Sequence, residues 1–513
     1  MRRKAITLRT IVLLTLTAVL ASAGCIGSSQ HAAAFFRIGR GHFEGARMSG
    51  HAPGARYGVR EHRSGRISHS RRHAGWPGWR REGHGGRRIR YSPHRWIAGR
   101  GVAGGIGPLG SGGGGGGGAS VGGRVGGVPP AGENRFVPDE VLVEFRPRVS
   151  PQTISRFARI FNLTQLDAQR FALLGGATFY RWRIAAGSSV PGTVAALQNQ
   201  VIVANAQPNY LFTVQDEASQ THPATAGDEA QYALRTLHIK QAQQISTGKD
   251  VTVAVIDSEV EASHPDLAGS VKKKFDALGG AGSPQSHGTA MAGAIVAHGK
   301  LLGIAPGAIV IAARAFDDSR GQAKGTSFAI YKSLQWAADS GARIVNMSFV
   351  GPFDPDLSRM LASAAGKAIV LIAAGGNGGP ASGPQYPAAD ANVIAVAATD
   401  SKDGLFSLDN RNPYIALASP GVGILSLAPE DTYQESTGSS IAAAHVSGIA
   451  ALMLQIQPSL KPRDVRAILI GTSKPLVAGG QAGFEPRLVD AYLAVKSAGA
   501  VMVSRAGREQ AKR

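Results

Sequence analysis

One cysteine, Cys25, stands among 513 residues. No disulfide can close within the chain, so its stability has to come from a packed core. Long apolar runs are scarce as well. IVLLTLTAVLASA, at residues 11–23, is shorter than the ~18 residues that cross a bilayer comfortably, no other stretch approaches that length, and no transmembrane helix is expected. A nucleic-acid-binding signature is also missing, although the formal net charge is +21, so the excess positive charge needs another explanation.

That charge is concentrated. Residues 26–132 hold 17 Arg and 3 Glu, the first 25 residues hold four positive charges, and only +3 remains for residues 133–513. The first four positives, Arg2, Arg3, Lys4 and Arg9, precede the apolar run, and Ala21-Ser22-Ala23 closes it as a small-residue cleavage pattern. Residues 1–23 therefore read as an export signal, which sends the chain to the periplasm or beyond. Cys25 lies two residues past the expected cut. Ser22 stands where bacterial lipoprotein signals favour leucine, so the thiol reads as incidental rather than as a lipid anchor. Residues 24–132, rich in Arg, His and Gly, have no burial period and are expected to be disordered. Trp76, Trp79 and Trp96 among the arginines suit anionic cell-surface polymers, which could hold the protein at the envelope, and not a specific nucleic acid. The preferred reading is a solvated linker that is cut away.

Order signals return at 133–215. DEVLVEF and ATFYRWRI read as strands, PQTISRFARIF and VPGTVAALQNQ as helices, and VIVANA with NYLFTVQ as a closing strand pair, a small α+β module of βαββ type. Residues 216–231, DEASQTHPATAGDEAQ, lack periodicity and contain Pro223 and Gly227, so they read as an exposed linker. From 232 to 498, near-continuous apolar runs (VTVAVID, AIVIAARAF, ARIVNMSF, AIVLIAAGGN, NVIAVAAT) alternate with helix-period segments such as SFAIYKSLQWAADSG. Strands buried on both faces look like that, and the expected fold is α/β, a mostly parallel, doubly wound sheet with helices on both faces. Residues 499–513 form a basic C-terminal tail.

Sites in such sheets gather at the carboxyl ends of strands. Three polar residues stand where that rule points: Asp257 ends VTVAVID, His287 opens HGTAMAGAIVAHG, and Ser440 opens IAAAHVSGIAALML. A serine hydroxyl that attacks a carbonyl needs a neutral imidazole to take its proton, and a carboxylate to orient that imidazole and stabilise its charge. Gly438 allows a tight entry into the helix, where backbone N–H groups favour the oxyanion formed beside Ser440. Activity should rise as an imidazole loses its proton, near an unperturbed pKa of ~6.5, toward a neutral to alkaline optimum.

VAVIDS, HGTAMAG and GSSIAAAHVSG, in that order, resemble the three active-site signatures of the subtilisin-like serine peptidases, as do NMSFVGP, AAGGN, YPAA and LVDAYLAV between about Leu234 and Val495. The resemblance implies a serine endopeptidase acting on proteins or peptides, without redox or nucleotide cofactor, as a monomer. It implies Asn377 as the oxyanion donor, Ala323-Lys324-Gly325 and Ser348-Phe349-Val350 as edges for an extended substrate, and Ala374-Gly375-Gly376 as a further pocket wall. Val350 stands where glycine is common, which predicts a narrowed pocket for small or medium apolar side chains. The module at 133–215 resembles the family's pro-domains, which implies an intramolecular inhibitor released by self-cleavage between about Gln215 and Gln231. His264 and His445 resemble structural histidines. No metal is implied at the site, and the short KLL stretch before GIAPG implies that a calcium loop of some relatives is missing. Departures are Ser258-Glu259 after Asp257, Ala290 after Thr289 and Ala444 before His445; a catalytically weak protein that binds peptides or cell surfaces is the alternative they leave open.

Overall fold

Alternation of side chains decides the first layer. In strand β1 (Phe136–Phe145), Val141, Val143 and Phe145 join one apolar cluster and Leu142 another, and all four are buried. The structure, a computed structural model, describes residues 126–214, 217–221, 231–280, 282–317, 323–476 and 483–510, with the backbone alone for 217–221 and 501–510. The export signal, Cys25 and all but the last seven residues of the 24–132 segment lie outside the described residues.

After β1 come α1 (Pro151–Ile160), β2 (Thr164–Phe171), β3 (Ala177–Arg183), α2 (Val190–Gln198) and β4 (Val203–Val214). Each helix begins as its sequence suggests, with a serine whose hydroxyl accepts a backbone N–H: Ser150 from Thr153 and Ser189 from Gly192, both at 3.2 Å. The strands form an antiparallel sheet in the order β2-β3-β1-β4. Ile154, Phe157, Val194 and Leu197 of the helices cover its Val141/Val143 face. Two expectations change here. β2, TQLDAQRF, was not anticipated because it is a mostly exposed edge strand without an apolar alternation. The closing pair is instead one continuous twelve-residue strand, β4.

The chain continues with β5 (Glu217–Thr221), a strand inside the segment expected to be a structureless linker. Then follow α3 (Tyr232–Thr236), α4 (Ile239–Gln243), β6 (Thr252–Asp257), β7 (Val271–Asp276), α5 (Ser286–Val296), β8 (Ile309–Arg314), β9 (Phe316–Asp317), β10 (Lys324–Thr326), α6 (Ser327–Asp339), β11 (Ile344–Met347), β12 (Phe349–Val350), α7 (Pro355–Gly366), β13 (Val370–Ala374) and β14 (Val393–Thr399). The last stretch holds β15 (Ile415–Pro420), the hairpin β16 (Ile424–Ala428) and β17 (Thr432–Thr437), α8 (Ser439–Ile456), α9 (Pro462–Thr472), β18 (Lys474–Pro475), β19 (Arg487–Leu488) and α10 (Ala491–Gln510). α10 runs past residue 498, so much of the expected basic tail is helical backbone.

Nine strands make the main sheet, in the order β18-β19-β15-β14-β13-β11-β6-β8-β7, parallel throughout except for β18 with β19. From β6 the chain builds β7 and β8 on one side, then crosses back to build β11 and its successors on the other. The crevice where such a reversal occurs, beyond the carboxyl ends of β6 and β11, is where doubly wound sheets bind ligands. α8 packs across β11, β13, β14 and β15. It is the one helix among the described residues long and apolar enough to cross a membrane, and it is buried as a core helix instead.

Candidate active site

Asp257 is the last residue of β6 and is fully buried; His287 lies in the first turn of α5. The imidazole Nδ1 stands 2.6 Å from Asp257 Oδ1. An ionised carboxylate can only accept, so Nδ1 carries the proton and Nε2 keeps its lone pair for base chemistry. Ser258 binds the two elements together. Its backbone N–H and hydroxyl donate to the same Oδ1 at 2.7 and 3.2 Å, while its Oγ accepts from Gly288 N at 3.0 Å. A Cβ on Gly288 would fall 2.4 Å from the Ser258 carbonyl oxygen, so only glycine allows the helix to begin this close to β6. Glu259, the departure next to Ser258, pairs with Lys274 of β7.

Ser440 lies in the first turn of α8, which packs against α5. The chain enters this helix through Gly438, at φ 152° and ψ 168°, a region that side chains oppose. Ser440 and Ser348 exchange hydrogen bonds: Ser440 Oγ donates to the Ser348 carbonyl at 3.3 Å, and Ser348 Oγ donates to the Ser440 carbonyl at 3.0 Å. Asn346 of β11 in turn donates to Ser348 Oγ at 2.9 Å.

Asn377 lies in the turn after β13. Its Oδ1 accepts from Ser439 N at 3.0 Å and from Ser439 Oγ at 2.8 Å, and the same Oγ accepts from Gly376 N at 3.0 Å. A backbone N–H only donates, so the atom facing Ser439 must be the amide oxygen, and Asn377 Nδ2 is directed away from it. The two serines after Gly438 thus have different surroundings: Ser440 meets Ser348, and Ser439 holds Asn377. The sequence pointed to Ser440 but not to Ser439, and Ser258 counts there only as a departure.

The expected substrate edges flank a strand from this same chain. Thr213 of β4 pairs with Lys324 of β10 on one side and with Val350 of β12 on the other; Phe212 stands opposite Gly325, and Val214 opposite Phe349. Val214 N donates to the Ala323 carbonyl at 3.3 Å. The buried Phe212 ring meets Phe349 edge-on, with ring centres 5.9 Å apart. Ala374 ends β13 and Gly375 follows it, and a Cβ on Gly376 would lie 3.4 Å from Val350 Cγ1 and 3.1 Å from Gln385 Cγ. Val350 and Gln385 both border the space above Gly376, and Gln385 is absent from the sequence reading.

The face of β4 turned toward the larger layer carries three buried amides two residues apart, Asn205, Gln207 and Asn209. Asn205 donates to Asp356 at 2.5 Å, Gln207 to Asp354 and to the Tyr331 hydroxyl at 2.9 Å each, and Asn209 accepts from Phe328 N at 3.1 Å. Asp354 caps α7, accepting from Asp356 N and Leu357 N at 3.0 Å, and takes the Tyr331 and Ser327 hydroxyls as well. Burial, and then the neighbouring charge of Asp354, push the Asp356 carboxyl up to about 7, although Arg359 at 2.8 Å opposes the shift.

His445 and His264 have partners of their own away from this cluster. His445 Nδ1 faces the Pro420 carbonyl at 3.0 Å, and burial pushes its pKa down to about 4, so it stays neutral. His264 Nδ1 accepts from Asp266 N at 3.1 Å, and its ring meets Tyr433 edge-on. In the loop before GIAPG, Asp266 accepts from Lys300 N and Leu301 N at 3.0 and 2.7 Å, and Gln231 pairs with Leu302 in both directions at 3.0 Å. Among the described residues, no group of three His, Cys, Asp or Glu side chains could hold a metal ion.

The chain resembles known proteins in sequence and in fold. Residues 248–492 match the model of the subtilase family, and residues 124–209 match that of the fervidolysin N-terminal prodomain. Thermitase of Thermoactinomyces vulgaris is 34% identical over 274 residues, which cover 52% of this chain and 96% of thermitase. A thermophilic serine proteinase of Bacillus sp. (strain AK1) is 32% identical over 328 residues, 62% of this chain and 78% of that protein. The crystal structure of fervidolysin from Fervidobacterium pennivorans shares the fold, with a TM-score of 0.61 at 23% identity, over 72% of this chain and 62% of that one.

Proposed function

The chain belongs to the subtilase family and is a serine-type endopeptidase with a pro-domain, and from that premise we propose that Asp257, His287 and Ser440 are its triad, Asn377 its oxyanion donor, and its own residues after Val214 its first substrate. One observation carries the reading. The chain's strand β4 lies between both expected substrate edges, and the chain continues as β5 beside Thr437, three residues before Ser440.

The reaction then runs as follows. His287 Nε2 takes the Ser440 Oγ proton as that oxygen bonds to the scissile carbonyl carbon. The resulting oxyanion is held by Asn377 Nδ2 and by the N-terminal N–H groups of α8. As the C–N bond breaks, the imidazolium returns the proton to the leaving amine, and Asp257 Oδ1 stabilises the charge in between. Water, deprotonated by the same imidazole, releases the acyl group and restores Ser440 Oγ–H. Substrates lie extended along Ala323-Lys324-Gly325 and Ser348-Phe349-Val350, with an apolar side chain where Phe212 sits and one of small or medium size beside Val350 and Gly376.

Self-cleavage falls between about Gln215 and Gln231, and the pairing of Thr213 and Val214 supports the Gln215–Asp216 bond as the one cut. The freed module stays bound as an inhibitor, since its strand is already in place. Export by residues 1–23 and envelope association through the basic segment complete the reading.

Labelling tests it. A fluorophosphonate should modify Ser440, and Ser440→Ala should abolish labelling, leave the chain uncut and lower turnover about 10⁶-fold, a magnitude established on a subtilisin. Processing of Ser440→Ala at the same bond in a protease-free host would require a second protease.

A further inference from the structure

β11 carries one residue at odds with its surroundings. Ile344 joins the apolar cluster that contains the core of α8, and Val345 and Met347 join the cluster on the other face of the sheet, so alternation turns Asn346 toward α8. In register it stands between Val255 of β6 and Ile372 of β13, two members of the α8 cluster. Asn346, Ser348 and Ser447 are fully buried. A buried amide in an apolar layer is costly unless its hydrogen bonds are made. Here they are made, and they lead to one place. Ser447 Oγ lies 2.9 Å from Asn346 Oδ1 and 2.9 Å from the Ala443 carbonyl. An amide oxygen only accepts, so the serine hydroxyl is the donor to Asn346. Asn346 Nδ2 donates to Ser348 Oγ at 2.9 Å, and Ser348 Oγ donates to the Ser440 carbonyl at 3.0 Å.

We infer that Asn346 and Ser447 are positioning residues for the nucleophile: through Ser348 they clamp α8 to the end of β11 at two points and so set Ser440 against the substrate edge. The inference rests on the reading of Ser440 as nucleophile and adds what holds it in place. A helix fastened at one point can still slide and turn. Ser440 and Ser447 are seven residues apart, two turns and ~10.5 Å along one face of α8. Fastened at both, the helix can do neither.

Ser348 is the joint. It belongs to the proposed edge Ser348-Phe349-Val350, and its carbonyl accepts the Ser440 hydroxyl at 3.3 Å. The nucleophile and the backbone that carries the substrate are thereby referred to a single amide, that of Asn346. Asn346 and Ser447 are neutral as well as buried, so their influence on the reaction is one of placement and not of charge. Misplacement of reacting atoms by ~1 Å can cost about 10²-fold in rate, so a slip of α8 far smaller than one helical turn is felt at Ser440.

Fluorophosphonate labelling of the processed enzyme separates placement from folding, because its end point counts intact sites and its rate constant reports how each site is set. Asn346→Ala is expected to slow labelling and peptide-anilide kcat, per labelled site, by about 10- to 100-fold, with KM within about twofold of wild type. The pH midpoint of the rate should not move, since His287 and Asp257 keep their contact. Ser447→Ala, one bond farther from Ser440, should cost about 2- to 10-fold. The Asn346→Ala/Ser447→Ala pair should be no slower than Asn346→Ala, since both act through one brace. A lower end point with an unchanged rate per labelled site overturns the inference and leaves the two residues a part of the core alone. A rise in KM at constant kcat overturns it too, by moving their effect to the substrate edge, and so do additive losses in the pair. Should Asn346→Ala fail to fold, Ser447→Ala decides, and a labelling rate equal to wild type overturns the inference. Absence of labelling in the unaltered enzyme overturns the reading of Ser440 and this inference with it.

Discussion

Ser439 is the residue whose duty is least visible from its neighbours in the chain. Its hydroxyl and its N–H converge on Asn377 Oδ1, and its hydroxyl also receives Gly376 N. On the proposed role of Asn377, the effect of these bonds is to direct Nδ2 toward the developing oxyanion. Removing the Asn377 amide should cost about 10²–10³ in turnover, a scale itself taken from a subtilisin. Ser439→Ala removes only the hydroxyl and leaves the N–H, with each lost bond contributing ~0.5–1.5 kcal/mol. A fall in kcat of roughly 3- to 30-fold with little change in KM is expected, with Ser439→Thr close to wild type. The Ser439→Ala/Asn377→Ala double variant should be no slower than Asn377→Ala, since both act on one group. Steady-state kinetics on a peptide anilide reads all four.

Among the elements, the start of α5 leaves no room for a side chain against β6. His287 can meet Asp257 because the next residue lacks a Cβ, which would otherwise lie 2.4 Å from Ser258 O and 3.0 Å from Ser258 C, both backbone atoms that cannot swing aside. Gly288→Ala must therefore push the helix away from β6. A destabilisation of about 1–3 kcal/mol is expected, together with a loss of activity larger than the stability change explains, because the 2.6 Å contact of His287 with Asp257 opens. Calorimetry in the Ser440→Ala background, where self-digestion cannot intervene, measures the first; turnover in the active protein measures the second. An unchanged melting temperature would mean that α5 shifts freely, contrary to its packing against α8 and β16.

At the scale of the molecule, pro-domain and catalytic layer share one apolar cluster, in which Leu142, Phe179 and Phe212 meet Phe328, Tyr331 and Leu357. Beside it lies the polar contact of Asn205 with Asp356. With the pro-domain in place the Asp356 carboxyl titrates at about 7, and burial is the first cause. When the pro-domain leaves, solvent returns and the pKa falls back toward its ordinary value. The complex therefore binds a proton that the free catalytic domain does not, between roughly pH 4 and 7. Pro-domain binding is strongest below that window and weakens as pH rises through about 7. A loss of affinity of up to about a hundredfold between pH 5 and pH 8 is expected, read as the fraction of the pro-domain fragment that co-elutes with the processed enzyme, and Asp356→Asn should flatten the difference. Tighter binding at pH 8 than at pH 5 would contradict the sign.

The local sequence by itself determined the five central strands of the main sheet, β14, β13, β11, β6 and β8, and the polar residue at the carboxyl end of β6. A strand covered on both faces must be apolar at every position, so VTVAVID announces both its burial and the place, Asp257, where polarity returns. The glycine before the two serines and the alternation in DEVLVEF are equally local. Tertiary structure decided the rest. Gln207 and Asn209 look like an interruption of a strand until the helix starts of α6 and α7 stand opposite them with N–H groups and carboxylates to satisfy. TQLDAQRF is a strand because β3 offers it an edge. EASQT, without any pattern of its own, becomes one because β17 does. Strand formation depends on a partner's unpaired backbone groups more than on side-chain preference, and for these segments the partner lies elsewhere in the chain, more than two hundred residues away in the case of β5.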